Sequence, residues 1–277
     1  MAEGSSEKKT EEGVNYDHPV YKEISLSNGM INRMKKEEVK DILVKLGLDS
    51  RGVKEVLQRR LKNHIKKEKL AKAKVQHCSV DRDGIAYYCV IDFEATCEKE
   101  NPEGYQHEII EFPAVLVNAK TLEIEGEFQQ YCKPLLKPRL TKFCQELTGI
   151  SQETVDKSDN FPQVLDNFHI WLKERGIGTT HKFAVVTDGP WDIQRFLVTQ
   201  CEICNINLPK WSRKYINLRK HYRNFYKMKC KLSEMLENLG LEFEGRPHSG
   251  LDDSRNIARI LIKMLKDGGD LSFNDIV

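Results

Sequence analysis

The chain has 277 residues, an apolar share of 39% and eight cysteines, which suits one large domain, or a domain with a small module, and excludes a disulfide framework. No run reaches the ~18 uncharged apolar residues of a membrane helix and no apolar leader follows Met1, so a soluble, unsecreted protein that does not engage membranes is expected. The net charge of +2 hides an asymmetry: residues 22–74 carry 16 Lys and Arg against 7 Asp and Glu, whereas the segments on either side are net acidic. A basic segment ahead of a mildly acidic body points to a polyanion-binding module joined to something else.

Residues 1–20 are rich in Glu, Lys, Ser and Gly and read as a disordered tail. Two helices follow. The first, over 35–46, carries Val39, Ile42, Leu43 and Leu46 at helical spacing and stops at Gly47. Asp49 or Ser50 can cap the second, whose stripe is Val53, Val56, Leu57, Leu61 and Ile65; Lys54, Arg59 and Arg60 face away from that stripe or border it. The helix continues as a charged linker through 66–74. An α/β body then begins near Gly84, with strands predicted over 85–92, 108–118, 122–131 and 183–187. Helices are predicted over 140–147, 161–173, 190–203, 231–239 and 251–266. The implied division is a module over 21–68, a linker over 69–84 and a body over 85–272.

The first strand of the body ends in Asp92-Phe93-Glu94. Positions i and i+2 of a strand face one side, so both carboxylates reach one place. Held together they repel, and a hard divalent cation such as Mg²⁺ or Mn²⁺ would relieve that repulsion. Two solvated acids at a strand end is the plainer alternative. Strand 183–187 runs into Asp188-Gly189-Pro190-Trp191-Asp192, where Asp192 lies on the inward side of the following helix with Phe196, and Asp188 fits a capping role. In the last helix Asp253 stands four residues before the buried-stripe Ile257, and Asp252 is rotated by ~100° from it. Five residues before Asp253, in a Pro- and Gly-bounded loop, is His248.

Asp-x-Glu on a strand, a core-facing Asp after a second strand, and His-x₄-Asp entering a last helix together resemble the DEDDh, DnaQ-like 3′→5′ exonucleases over about residues 85–265. The resemblance implies an RNase H-like mixed sheet flanked by helices. It also implies a ligand set of Asp92, Glu94, Asp192 and Asp253 for two Mg²⁺ ions, with Mn²⁺ an accepted substitute, Glu94 as a catalytic carboxylate and His248 as general base. The family often has His-Asn before its third acid, where this chain has Thr187-Asp188-Gly189, so Asp188 stays open as an understudy for Asp192. The basic hairpin resembles a SAP domain, a small helical nucleic-acid-binding unit, through its Gly-Leu, its Gly-x-Lys and its closing Arg-Leu. An ordinary basic hairpin is the alternative.

A SAP-like unit followed by C-V-I-D-F-E-A-T-C-E, H-E-I-I-E-F-P-A-V, L-T-G-I, D-G-P-W-D and G-R-P-H-S-G-L-D-D-S-R-N-I-A-R-I is similar to the enhanced-RNAi exoribonuclease family, the 3′ histone mRNA exonucleases of vertebrates. That resemblance runs over nearly the whole chain. It implies Mg²⁺-dependent trimming of RNA 3′ tails beside structured RNA such as histone mRNA stem-loops, small interfering duplexes or ribosomal RNA. Ribosomes or a stem-loop-binding protein are the implied partners, and cytoplasm and nucleus, with the nucleolus, the implied locations. Trp191 is a candidate stacking face for the terminal base, with Phe143 and Leu147 as weaker ones, against the alternative that all three fill the core. The backbone around Ala95 and Thr96 is the candidate reader of the 2′-hydroxyl, and His248 also borders the substrate. Lys54, Arg59 and, above all, Arg60 are the candidate RNA contacts of the SAP unit. Arg213-Lys214 and Arg219 to Arg223 interleave cations with aromatics, either as an RNA groove or as a charged loop. Cys201-x-x-Cys204 has no second ligand pair in the sequence and reads as structural. A DNA exonuclease, or a catalytically silent RNA-binding protein, are the rival readings.

Overall fold

The computed structural model describes residues 18–75 and 84–277. Residues 1–17 of the tail expected over 1–20, and residues 76–83 of the linker expected over 69–84, lie outside the described residues, whereas Pro19 and Val20 belong to the first helix and not to the tail. The basic unit has three helices: α1 (Pro19–Arg33), α2 (Lys36–Lys45) and α3 (Lys54–Lys72). The first was hidden by its own sequence, because Ser25, Ser27, Asn28 and Gly29 are weak helix formers. It forms on α3, where Val20 and Ile24 bury against Leu70, while Ile31 joins Val39, Leu43, Leu57 and Leu61. Neither Asp49 nor Ser50 caps α3; its N-cap is Val53, without a side-chain bond. Asp49 instead accepts from the Arg51 backbone at 2.8 Å.

The body is a seven-stranded mixed sheet. Strand β1 (Tyr87–Val90) runs parallel to β5 (Phe183–Thr187) and antiparallel to β3 (Ile109–Asn118). Strand β2 (Glu94–Ala95) also pairs with β3, which forms a hairpin with β4 (Ile124–Tyr131). Beyond β5 lie β6 (Lys214–Asn217) and the antiparallel β7 (Asp275–Ile276), neither of which has an apolar run long enough to announce it. Both faces of the sheet are covered. Tyr88, Val90, Val115 and Val117 pack under the last helix, α10 (Gly250–Lys266), and the alternating Cys89, Ile91, Ala114 and Leu116 pack under α6 (Phe161–Glu174). This double burial is why the strands read as continuous apolar runs. Seven free cysteines are described; Cys201 is buried in the second of these cores, a structural place.

The strand expected over 85–92 is interrupted where it matters. Val90 pairs with Val115, and the ladder resumes with Glu94 opposite Glu111 in the same register. That register places Pro113 opposite Asp92, and a proline brings no N–H to the ladder. The Phe93 N–H faces the β5 side of the strand, like that of Ile91, and donates to Asp192 Oδ1 at 2.9 Å. The start of α10 fills the gap: a Cβ on Gly250 would lie 2.7 Å from the Asp92 carbonyl oxygen and 2.9 Å from Pro113 Cγ. Gly250→Ala is therefore expected to cost about 1–3 kcal/mol of stability, read from the urea midpoint, with turnover lost through displacement of Asp92. An unchanged midpoint would show that the gap has slack.

Candidate active site

Four acids arrive from three places. Asp92 lies in the break between β1 and β2 and Glu94 opens β2, Asp192 opens a single π-helical turn (Asp192–Leu197) after β5, and Asp253 sits in the first turn of α10. The predicted continuous helix over 190–203 is in fact this turn followed by α7 (Val198–Ile203). Glu94, Asp192 and Asp253 are buried and Asp92 is half-buried. Ligand atoms of Glu94, His248 and Asp253 all lie within 4.8 Å of one another. His248 itself is exposed and sits at φ +62°, a left-handed backbone that a non-glycine residue adopts only under constraint. The constraint is visible: its N–H donates to Asp253 Oδ2 at 2.9 Å.

The electrostatics are those of an uncompensated anionic cluster. Burial, then the neighbouring Asp192, Asp253 and Glu94 charges, hold the Asp92 carboxyl well above the usual carboxylate range. Burial with Asp253, Glu111 and Asp192 pushes Glu94 up to about 9. Asp192 and Asp253 are each raised to about 7, mainly by burial, although the Phe93 and His248 N–H groups pull the other way. Among the described residues none of the four acids has a cationic ion-pair partner. Asp188 does: the Arg219 guanidinium bonds it, at 3.3 Å from Nε to Oδ1 and more closely through Nη2. The understudy is neutralised and Asp192 is not. Oxygen donors in excess of charge compensation are what a hard divalent ion requires, so this donor set fits one.

Residues around the acids fall into place unevenly. Trp191 is 53% exposed, with the Arg195 guanidinium 4.5 Å from its ring centroid, so it does not fill the core. Phe143 and Leu147 are half-buried, four residues apart on α4 (Lys142–Thr148), and belong to none of the apolar clusters. That helix is tied to the site at both ends: Thr141 Oγ1 donates to the Cys97 carbonyl at 2.7 Å, and Arg246 Nη2 donates to the Glu146 carbonyl at 2.7 Å. Ala95 is buried on β2. Thr96 is less available than expected, because its N–H bonds the Glu108 carbonyl and its own carbonyl meets His107 Nδ1.

The SAP unit requires a correction. Arg60 is only 4% exposed and cannot present itself to RNA in this arrangement. Its Nε and Nη2 bond Asp267 at 2.6 and 3.0 Å, Tyr226 donates to the same carboxylate at 2.8 Å, and Asn63 donates to the Asp267 carbonyl at 2.8 Å. Arg59 lies 5.1 Å from the Phe225 ring centroid, on α8 (Leu218–Tyr226). Lys54 is half-exposed. The reason is periodic: Arg60 is four residues from Val56 and three from Leu57, so it extends the stripe that docks on the body. Burying a guanidinium there is tolerable because a carboxylate meets it.

Glu111 was overlooked. It is buried beneath the cluster, pairs in register with Glu94, and accepts the Gly250 and Leu251 N–H groups at 3.1 and 3.3 Å. It thereby joins the strand that holds Glu94 to the helix that holds Asp253. Its only signal in the sequence was an acid in the middle of an apolar strand.

Comparison with known proteins gives a consistent result. An exonuclease family model (RNase_T) matches residues 89–261 and a SAP domain model matches residues 30–66. The chain is 50% identical to 3′-5′ exoribonuclease 1 of Mus musculus, over 95% of this chain and 76% of that protein. It resembles the solved structure of a 3′-exonuclease recognising the 3′ end of a histone mRNA stem-loop (49% identity, 95% of this chain, 91% of that one, TM-score 0.69). It also resembles the nuclease domain of 3′hExo, a DEDDh family member, bound to rAMP (51% identity, 70% of this chain, 98% of that one, TM-score 0.69). Divalent-metal dependence goes with that DEDDh family. The chain belongs to the exonuclease family and, within it, to the 3′-5′ exoribonucleases that carry a SAP domain.

Proposed function

We propose that Asp92, Glu94, Asp192 and Asp253 hold two Mg²⁺ ions, with Mn²⁺ an accepted substitute, and that His248 is the general base of the exoribonuclease reaction. The observation that supports this most is the contrast among the acids: Asp188 carries an arginine, and the four buried or half-buried neighbours carry none. When bound, the ions supply Lewis acidity at the scissile phosphate and lower the pKa of a bound water. A ring nitrogen of His248 would take the proton of the attacking water and, being exposed, pass it to solvent. Trp191 offers an exposed ring beside Asp192 for the terminal base, and Phe143 and Leu147 offer apolar surface on the α4 side. Thr96 and Ala95 flank the sugar side, and of the three SAP candidates the half-exposed Lys54 and Arg59 remain able to reach RNA where Arg60 does not.

The substrate we propose is an RNA whose single-stranded 3′ tail adjoins structure, as in histone mRNA stem-loops, small interfering duplexes or ribosomal RNA, with nucleoside 5′-monophosphates as products. Association with ribosomes or a stem-loop-binding protein, and residence in cytoplasm and nucleus including the nucleolus, follow from that substrate class and belong to the same proposal. Matched RNA and DNA oligomers with 3′ tails, incubated with Mg²⁺, Mn²⁺ or EDTA, test it: RNA should shorten by single nucleotides with either ion, and EDTA should stop it. His248→Ala is expected to lower turnover by about 10²–10⁴-fold while RNA binding, read by anisotropy, stays within twofold. Normal turnover would remove the base role.

A further inference from the structure

A cavity of about 760 Å³ opens at the N-terminal ends of β5 and β6, lined among others by Phe183 and Lys214. All four catalytic-site acids lie beyond the C-terminal ends of β1 and β5, so the five residues of β5 alone separate the two places by about 15 Å. Among the described residues the cavity wall carries Lys173, Lys182, Lys210 and Lys214 and no Asp or Glu. Among the described residues Lys173, Lys210 and Lys214 make no ion pair, and all three are exposed. These three exposed ammonium groups around one hollow make it attractive to an anion.

Aromatic side chains form part of the rest of the wall, and one of them is held in place. The half-buried Trp211 donates its indole N–H to His169 Nε2 at 3.1 Å, which requires the imidazole to accept there and hence to be neutral. The same indole stands edge-on to the buried Phe168, with centroids 5.7 Å apart. Phe183 and Phe273 add to the apolar lining beside Ile85, Leu172 and Ile177. Cations at the rim and a fixed aromatic plane within are the combination that takes a phosphodiester backbone with its bases stacked. An acidic peptide would satisfy the lysines and leave the indole unused.

We infer that this Lys- and Trp-lined cavity is a second RNA-binding site, which holds a single-stranded segment away from the 3′ end being trimmed. A segment held there engages without a free terminus. The site therefore lengthens the residence of long RNAs and is indifferent to oligomers too short to span both places.

The test uses the full chain and a covalently closed single-stranded RNA circle containing 4-thiouridine, which offers no end to digest. Irradiation should cross-link the circle within residues 209–214 or 183. In a Lys173→Glu/Lys210→Glu chain that cross-link should fall at least tenfold, and the slope of log affinity against log salt for the circle should drop by about 1.4, at ~0.7 per lost phosphate contact. Hydrolysis of a tetranucleotide should stay within twofold of the unmodified chain, since both lysines are exposed and remote from the acids. Cross-links confined to the helical module and the catalytic cleft would overturn the inference. So would displacement of the 209–214 cross-link by poly-glutamate as effectively as by RNA of equal charge, which would assign the cavity to an acidic protein segment instead.

Discussion

Asp192→Asn is expected to lower exoribonuclease turnover by at least three orders of magnitude and, in EDTA, to make the protein more stable. The two effects share one cause. Burial holds the Asp192 proton affinity above the usual carboxylate range, at about 7, with Asp188 adding to it. An acid raised on folding is ionised more readily in the unfolded chain, so its ionisation favours unfolding. Below pH ~4 both states are protonated and the cost vanishes; it grows through pH ~4–7 and is complete above that. The asparagine amide cannot ionise, and its oxygen still accepts the Phe93 N–H that Asp192 accepts at 2.9 Å. Thermal or urea unfolding at pH 8 in EDTA should show a gain on the order of 2–4 kcal/mol, and none at pH 4. Added Mg²⁺ should stabilise the unmodified protein more than the variant, because the ion relieves a repulsion that the variant has already lost. An EDTA-treated variant no more stable than its parent would mean that Asp192 is not held ionised among its neighbours.

Arg60→Met is expected to be the most destabilising change in the SAP unit, at about 3–5 kcal/mol. It removes the guanidinium from a carboxylate that stays buried: Asp267 is 5% exposed and keeps only the Tyr226 hydroxyl at 2.8 Å. The same guanidinium also satisfies the Arg51 carbonyl at 3.1 Å, so the turn ahead of α3 loosens too. Removing both charges, in Arg60→Met/Asp267→Asn, should restore more than half of the loss, since the larger share is the stranded charge and not the pair itself. Equilibrium denaturation of the two single variants and the double variant measures this. A RNA-contacting arginine behaves oppositely: its loss weakens binding and leaves the unfolding midpoint unchanged. That outcome would return Arg60 to the surface.

This interface is more polar than the rest of the core. Gly52, at φ +118°, comes so near the body that a Cβ would lie 2.8 Å from the Asn238 carbonyl oxygen, and the Val53 N–H bonds that oxygen at 2.8 Å. Lys263 bonds Asp49, whose carboxyl is held well below its usual range: burial would raise it, but the Arg51 and Lys263 bonds outweigh burial. Depressed in this way, Asp49 supports docking above its unfolded pKa near ~4 and loses that support as the solution turns more acid. A unit of three helices has little core of its own, and its seat on the nuclease body supplies what it lacks.

Local chemistry determined a good deal here. Acids at the ends of buried strands and helices, a histidine in a Pro- and Gly-bounded loop, and a basic amphipathic hairpin are features of single segments, so spacing singled out Asp92, Glu94, Asp192, Asp253 and His248 as candidates, while their roles came from the resemblance to the DEDDh exonucleases. What the folded chain decided were matters of contact between segments far apart in sequence. Pro113 opens the ladder opposite Asp92, Glu111 joins the Glu94 strand to the Asp253 helix, Arg219 settles which aspartate of the third motif is neutralised, and Asp267 turns Arg60 inward. A side chain's periodicity tells which stripe it lies on, but whether that stripe meets water, a carboxylate or another domain depends on partners up to 214 residues away, and only the packed structure brings those together.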